Sequence, residues 1–95
     1  MRLRGKKAIT KFQKKHNTSR KRLDDWIRVV EKSDWKNLVE IQTTYKDAEF
    51  VRKKDRYVFN LGGNEFRVIT QIVFTAKTVL VTDVLTHAEY DKWCK

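Results

Sequence analysis

Three side chains in the C-terminal half are of types that could act together: Arg67 in FNLGGNEFRV, and His87 and Tyr90 in THAEYD. A guanidinium holds a permanent positive charge and can bind two oxygens of an anion at once. An imidazole exchanges its proton near neutral pH, and a phenol can donate to an oxygen. In combination these groups could do chemistry if one end of the fold brings them together. Thr86 followed by Glu89 is a capping-box pattern, so His87 and Tyr90 are expected in the first turn of a helix and on the same side of it. Arg67 must be brought to them by strand pairing. Each residue also has a plainer role: Arg67 as an ion-pairing strand residue with Glu65 or Asp83, His87 as a packed or capping histidine, Tyr90 as a cover for the sheet edge. Their convergence is what carries the chemical reading.

That convergence depends on a hairpin. If Gly62 and Gly63 form a two-residue turn, Phe59 lies opposite Phe66, Tyr57 opposite Val68, and Val58 opposite Arg67. Tyr57, Phe59, Phe66, Val68, Ile72 and Phe74 then share the face that meets the helices. The other face carries Asn60, Glu65, Arg67 and Gln71 among Val58, Ile69 and Val73, a mixture that suits the floor of a cleft. A following two-residue loop pairs Arg67 with Thr86, and a three-residue loop pairs it with His87. Both registers set Arg67 beside the start of THAEY.

The remaining elements follow from periodicity. Residues 2–4 could form a strand. Ala8, Ile9 and Phe12 mark a first helix over 6–16, and NTS at 17–19 offers a break and a cap. Leu23, Trp26, Ile27 and Val30 give the clearest helical period, and Ser33 can cap a third helix containing Trp35, Leu38 and Val39. KDAEFVRKKD reads as a charged loop leading to an edge strand. The period then becomes two, with strands at 56–61, 65–75 and 79–86 and a terminal helix after 86. The expected fold class is α+β: N-terminal helices packed on one face of a small antiparallel sheet, with a short C-terminal helix, as a single domain over 1–95.

The 95 residues carry a formal net charge of +10. Residues 1–22 contain ten Lys or Arg and no Asp or Glu, whereas 12 basic and 12 acidic residues balance in 23–95. Such a block suits a polyanion such as nucleic acid, because phosphate neutralisation releases counterions. An acidic protein partner or a solvated basic face would suit it as well. The one cysteine, Cys94, cannot form an internal disulfide, which favours a reducing cytoplasm. There is no run of 18 apolar residues to span a membrane. His16, His87 and Cys94 are far apart, with no HExxH or paired CxxC, so no metal site is expected. Walker, GxSxG and dinucleotide patterns are missing.

YVFNLGGNEFRV at 57–68 and THAEYD at 86–91, supported by KKAITKF and VVEKSDWKN upstream, closely resemble the HigB branch of the RelE-like toxins of bacterial type II toxin–antitoxin systems. The similarity covers nearly the whole chain. It implies a RelE-like microbial RNase fold and an mRNA interferase, an endoribonuclease that typically cuts messenger RNA on the translating ribosome. It also implies a bacterial cytoplasmic location and neutralisation by a cognate helix-turn-helix antitoxin, through which alone the complex meets operator DNA. Membranes have no part in it.

In such nucleases the RNA 2′-hydroxyl attacks the adjacent phosphate, which needs a base, a cation and a donor for the leaving 5′-oxygen, and no metal or other cofactor. Carried onto this chain, the resemblance gives Arg67 the electrostatic role, His87 that of general base or acid, and Tyr90 that of orienting or protonating group. Lys53, Lys54 and Arg56 are expected to grip the RNA backbone. Asn60 and Asn64 match the motif, where they hold the turn or touch RNA. The better-known RelE pattern relies on several lysines and arginines, so a site centred on His87 departs from it. The alternative is a basic RNA- or ribosome-binding module without catalysis.

Overall fold

The computed structural model describes residues 1–63 and 65–95; the Asn64 expectation lies outside them. Among the described residues the order is β1 (Arg2–Arg4), α1 (Lys6–Lys15), α2 (Arg20–Lys32), α3 (Leu38–Thr44), β2 (Glu49–Val51), β3 (Arg56–Leu61), β4 (Phe66–Val73), β5 (Thr78–Thr86) and α4 (His87–Trp93). Short 3-10 turns occupy Asn17–Ser19 and Arg52–Lys54. The fold is α+β, with the strands ordered β1-β5-β4-β3-β2. The sheet is mixed rather than antiparallel, because β1 runs parallel to β5 with Leu3 opposite Val79. A three-residue strand has no period that could reveal its direction. Its polarity follows from Gly5, which turns the chain directly into α1 in a left-handed conformation against Val81.

One face of the sheet takes the helices. Ile9 and Phe12 of α1, and Leu23, Trp26 and Val30 of α2, are buried as their i, i+3, i+7 spacing requires. Phe59 is the hub of this core. Its ring meets Trp26 at 5.2 Å and Tyr45 at 5.6 Å, both edge-on, and Trp35 at 6.0 Å. The third helix starts later than expected. Asn37, not Ser33, is its cap, accepting the Glu40 N–H at 3.0 Å. Ser33 instead donates to the Val29 carbonyl at 2.6 Å, and Val39 is exposed. Ser19 likewise donates to the His16 carbonyl and caps nothing.

The hairpin between β3 and β4 is wider than a two-residue turn. Leu61 pairs with Phe66, Asn60 with Arg67, and Phe59 with Val68, so the pairing closes at Leu61 and Phe66. Gly62 and Gly63 both adopt positive φ, and the Glu65 N–H donates to the Gly62 carbonyl at 3.2 Å. The register differs from the expected one by two residues, which leaves every side chain on its expected face. Phe59, Phe66, Val68 and Ile72 do face the helices.

Between β4 and β5 a bulge intervenes. Ile69 lies opposite Asp83, yet Thr70 lies opposite Val81, so Thr82 is an extra residue whose hydroxyl donates to the Ile69 carbonyl at 3.3 Å. Val79 and Val81 therefore enter the core before the bulge and Val84 packs against it afterwards. Arg67 consequently pairs with Leu85, rather than with Thr86 or His87, and Thr86 sits opposite Phe66. No helix among the described residues is long and apolar enough to cross a membrane.

Candidate active site

The chemistry gathers where β5 passes into α4. The expected capping box is present: the Thr86 hydroxyl accepts the Glu89 N–H at 3.3 Å, and the Glu89 carboxylate accepts the Thr86 N–H at 2.9 Å. That backbone N–H, more than any other contact, holds the Glu89 carboxyl below its usual range, with the Thr86 hydroxyl and the charges of His16 and Lys15 adding to it against some burial. The His87 N–H donates to the Glu65 carbonyl at 3.1 Å, tying the start of α4 to the hairpin loop.

α4 lies over the sheet face opposite the core helices, and here Arg67, His87 and Tyr90 meet. The guanidinium carbon of Arg67 is 4.8 Å from the Tyr90 ring centroid, and its Nη2 is 3.4 Å from His87 Nδ1. Stacking on the phenol offsets part of the cost of burying this cation. Arginine has no acceptor, so Nδ1 can take part in that contact only by accepting. Nε2 faces Asp91 at 3.5 Å. Only 6% of Arg67 is exposed, beneath Tyr90. The expected open cleft floor is thus covered at this end by α4. In this arrangement Arg67 offers a positive field and an orienting contact rather than an exposed clamp.

Tyr90 spans the site. Its hydroxyl donates to Glu49 on β2 at 2.7 Å, and its ring stacks on Trp93 at 5.6 Å. Burial, then hydrogen bonding to Cys94 and Glu49, push the phenol well above its ordinary range, so it stays a donor. Lys54 stands over the Trp93 ring at 5.2 Å. Sequence reasoning missed both Glu49 and Trp93. Glu49 sits in an irregular charged stretch, and only pairing of β2 with β3, Glu49 opposite Val58, carries it to this face.

The other expected residues are more dispersed. Lys53 and Lys54 are exposed in the 3-10 turn before β3, while Arg56 donates to the carbonyls of Lys54 and Asp55 and so holds that turn. Asn60 is the cross-strand partner of Arg67, and its buried side-chain oxygen has no hydrogen-bond partner among the described residues. All ten basic residues of positions 1–22 are exposed. Lys11, Lys15 and His16 line a cleft of roughly 300 Å³ between α1 and the β5–α4 junction, which lies beside the Arg67 cluster and not over it. Among the described residues no three His, Cys, Asp or Glu side chains form a group able to hold a metal ion.

Residues 19–93, which include every residue of this cluster, match the model of the HigB toxin family, described as the RelE-like toxic component of a toxin–antitoxin system. The chain belongs to the HigB toxin family. The mRNA interferase HigB of Escherichia coli O6:H1 is 34% identical over 71 residues, 74% of this chain and 69% of that protein. The mRNA interferase toxin HigB of Escherichia coli strain K12 and the mRNA interferase HigB of Shigella flexneri are each 28% identical over 92 residues, covering 96% of this chain and 88% of theirs. The family match begins at Ser19, so most of the basic segment before α2 lies outside it.

Proposed function

We propose that this HigB-family protein is an mRNA interferase: an endoribonuclease that cuts messenger RNA on the translating ribosome, stops translation, and is neutralised by a cognate antitoxin. The observation that carries this reading is the meeting of Arg67, His87 and Tyr90 within 3.4 and 4.8 Å contacts at one end of the sheet. The relatives' names, all mRNA interferases, support the same substrate class.

In the proposed reaction the 2′-hydroxyl of one nucleotide attacks the adjacent phosphorus and displaces the 5′-oxygen of the next. The products are a 2′,3′-cyclic phosphate and a free 5′-hydroxyl. Arg67 supplies positive charge beside the phosphate as its negative charge grows. His87 exchanges a proton with a reacting oxygen through its exposed edge, and Tyr90 orients the reacting groups or donates to them. Lys53, Lys54 and Arg56 hold the RNA backbone, with Asn60 and Asn64 as further RNA contacts. The reaction uses no cofactor. The exposed lysines of α1 add long-range attraction for RNA. The protein works in the bacterial cytoplasm, and its antitoxin carries the helix-turn-helix domain through which the complex reaches operator DNA.

One observation favours a second reading, a basic RNA- or ribosome-binding module that arrests translation without cutting. Arg67 is almost covered, while the N-terminal cations are all exposed. Mapping transcript 5′ ends after brief expression separates the two. The nuclease reading expects new ends with the wild type and none with His87→Ala. Growth arrest without new ends would favour the binding module.

A further inference from the structure

Resting on the nuclease reading, we infer that Glu49 is the general base that takes the proton from the attacking 2′-hydroxyl. His87 is then left as the proton donor to the leaving oxygen. A base needs a lone pair turned toward substrate, and His87 Nδ1 is turned instead to the Arg67 amino group at 3.4 Å.

The carboxylates around the cluster can be sorted by what they already hold. Glu89 accepts the Thr86 N–H and closes the capping box, so moving it would unravel the start of α4. Asp91 faces His87 Nε2 at 3.5 Å on the same helix. Among the described residues Glu49 holds neither a backbone group nor a cation. It is exposed, no Lys or Arg among the described residues forms a salt bridge with it, and its hydrogen bond is to the Tyr90 hydroxyl at 2.7 Å through Oε1. The phenol is the donor there, which leaves the second carboxylate oxygen to accept another proton. Tyr90 also holds Glu49 in place: a base on a three-residue edge strand would otherwise sample many rotamers.

Placement sets Glu49 beside the Arg67 cluster. Glu49 shares the sheet face of Arg67, since Glu49 pairs with Val58, Val58 with Ile69, and Ile69 lies two residues after Arg67 on β4. The Tyr90 ring lies between them, its face on Arg67 and its hydroxyl on Glu49.

The step balances as follows. The 2′-hydroxyl proton passes to the free oxygen of Glu49 as the 2′-oxygen bonds to phosphorus. The bond from phosphorus to the 5′-oxygen breaks with its electron pair on that oxygen. His87, protonated from solvent beforehand, gives its Nε2 proton to the departing oxygen. Both side chains then recover their protonation states from solvent.

The test compares single-turnover cleavage of a defined mRNA on programmed ribosomes by wild type, Glu49→Gln, Glu49→Asp, Tyr90→Phe and Glu49→Gln/Tyr90→Phe. Binding to the same complexes is measured in parallel. Glu49→Gln is nearly isosteric and sits at an exposed position, so it leaves the fold intact. The expected result is cleavage slowed by about 100-fold or more with binding changed by less than about 2-fold, a smaller loss in Tyr90→Phe, and partial activity in Glu49→Asp. Added formate is expected to restore part of the activity of Glu49→Ala, which a merely orienting role would not permit. Cleavage by Glu49→Gln within about 3-fold of a competent wild type would overturn the assignment while leaving the nuclease reading in place. A loss no larger than that of Tyr90→Phe, with no further loss in the double variant, would also overturn it, by showing that Glu49 acts only through the phenol. A wild type that binds but does not cut would remove both the reading and the assignment.

Discussion

A substitution at Gly5 tests how the sheet is locked. Gly5 has φ of +81°, and a Cβ added there would lie 2.3 Å from the Val81 carbonyl oxygen and 3.1 Å from its nitrogen, both backbone atoms that cannot swing aside. Gly63 provides the control, with φ of +60° and nothing within 4 Å of an added Cβ. At either position alanine meets a left-handed penalty of about 1–2 kcal/mol, offset by about 0.4–1 kcal/mol from a less flexible unfolded chain. Gly63→Ala is therefore expected to cost about 1 kcal/mol. At Gly5 the forced separation of β1 from β5 adds about 1–3 kcal/mol, for a total of about 2–4 kcal/mol, a large share of the stability of a small domain. With a urea slope of about 1 kcal/mol per molar, the unfolding midpoint falls by about 2–4 M in Gly5→Ala and about 1 M in Gly63→Ala. Gly5→Asn separates the two causes, because asparagine tolerates the left-handed region yet still carries a Cβ. Equal midpoints for the Gly5 and Gly63 variants would refute the close-approach argument. Any Gly5 variant that folds is also expected to lose activity, since Val81 directly precedes the Thr82 bulge that sets where Thr86 and His87 fall.

Other consequences are equally concrete. Thr86→Ala removes the side-chain half of the capping box and is expected to cost about 1 kcal/mol by urea unfolding, while lowering cleavage more than that loss implies, because α4 carries both His87 and Tyr90. Trp26 is fully buried with an indole N–H that has no hydrogen-bond partner among the described residues, so Trp26→Ala is expected to cost about 3–5 kcal/mol, and Trp26→Phe well under half of that, because it removes this donor along with some volume. Tyr45 is raised from 10.0 to about 12, first by burial and then by Asp25. Because its folded-state value lies above its unfolded one, its contribution to stability is intact below about pH 10 and is lost as the pH rises through about 12. Urea midpoints across that window should fall in the wild type and fall less in Tyr45→Phe. All three tyrosines are raised, so phenolate absorbance in the native protein should lag that of the urea-unfolded chain.

Most of the fold is legible in periodicity. Leu23, Trp26 and Val30 announce a helix that buries one stripe, and the period-two runs mark β3, β4 and β5. The facing of the hairpin was legible although its register was not, because a shift of two residues in register preserves parity. Register on the β5 side was not legible, since it depends on Thr82 as a bulge, and no residue type there distinguishes a bulge from regular strand. Direction was hidden in β1, which is too short to carry a pattern. At the site, the placing of His87 and Tyr90 on the first turn of one helix could be read from helical spacing and the capping box. Long-range partners could not. Glu49 reaches Tyr90 across 41 residues of sequence through an edge strand of three residues, and Arg67 is covered by a helix whose docking no local pattern encodes.

The central claim is that this cluster cuts RNA by attack of a 2′-hydroxyl. Its most direct test incubates purified wild type, His87→Ala and Arg67→Ala with ribosomes programmed by a defined mRNA, and maps the ends formed. A second mRNA carries a single 2′-deoxynucleotide at the mapped site. The account predicts new 5′-hydroxyl ends with the wild type, strong loss with each variant, and no cleavage at the deoxy position. Cleavage that persists at the deoxy position, or that is unchanged in both variants, would contradict it.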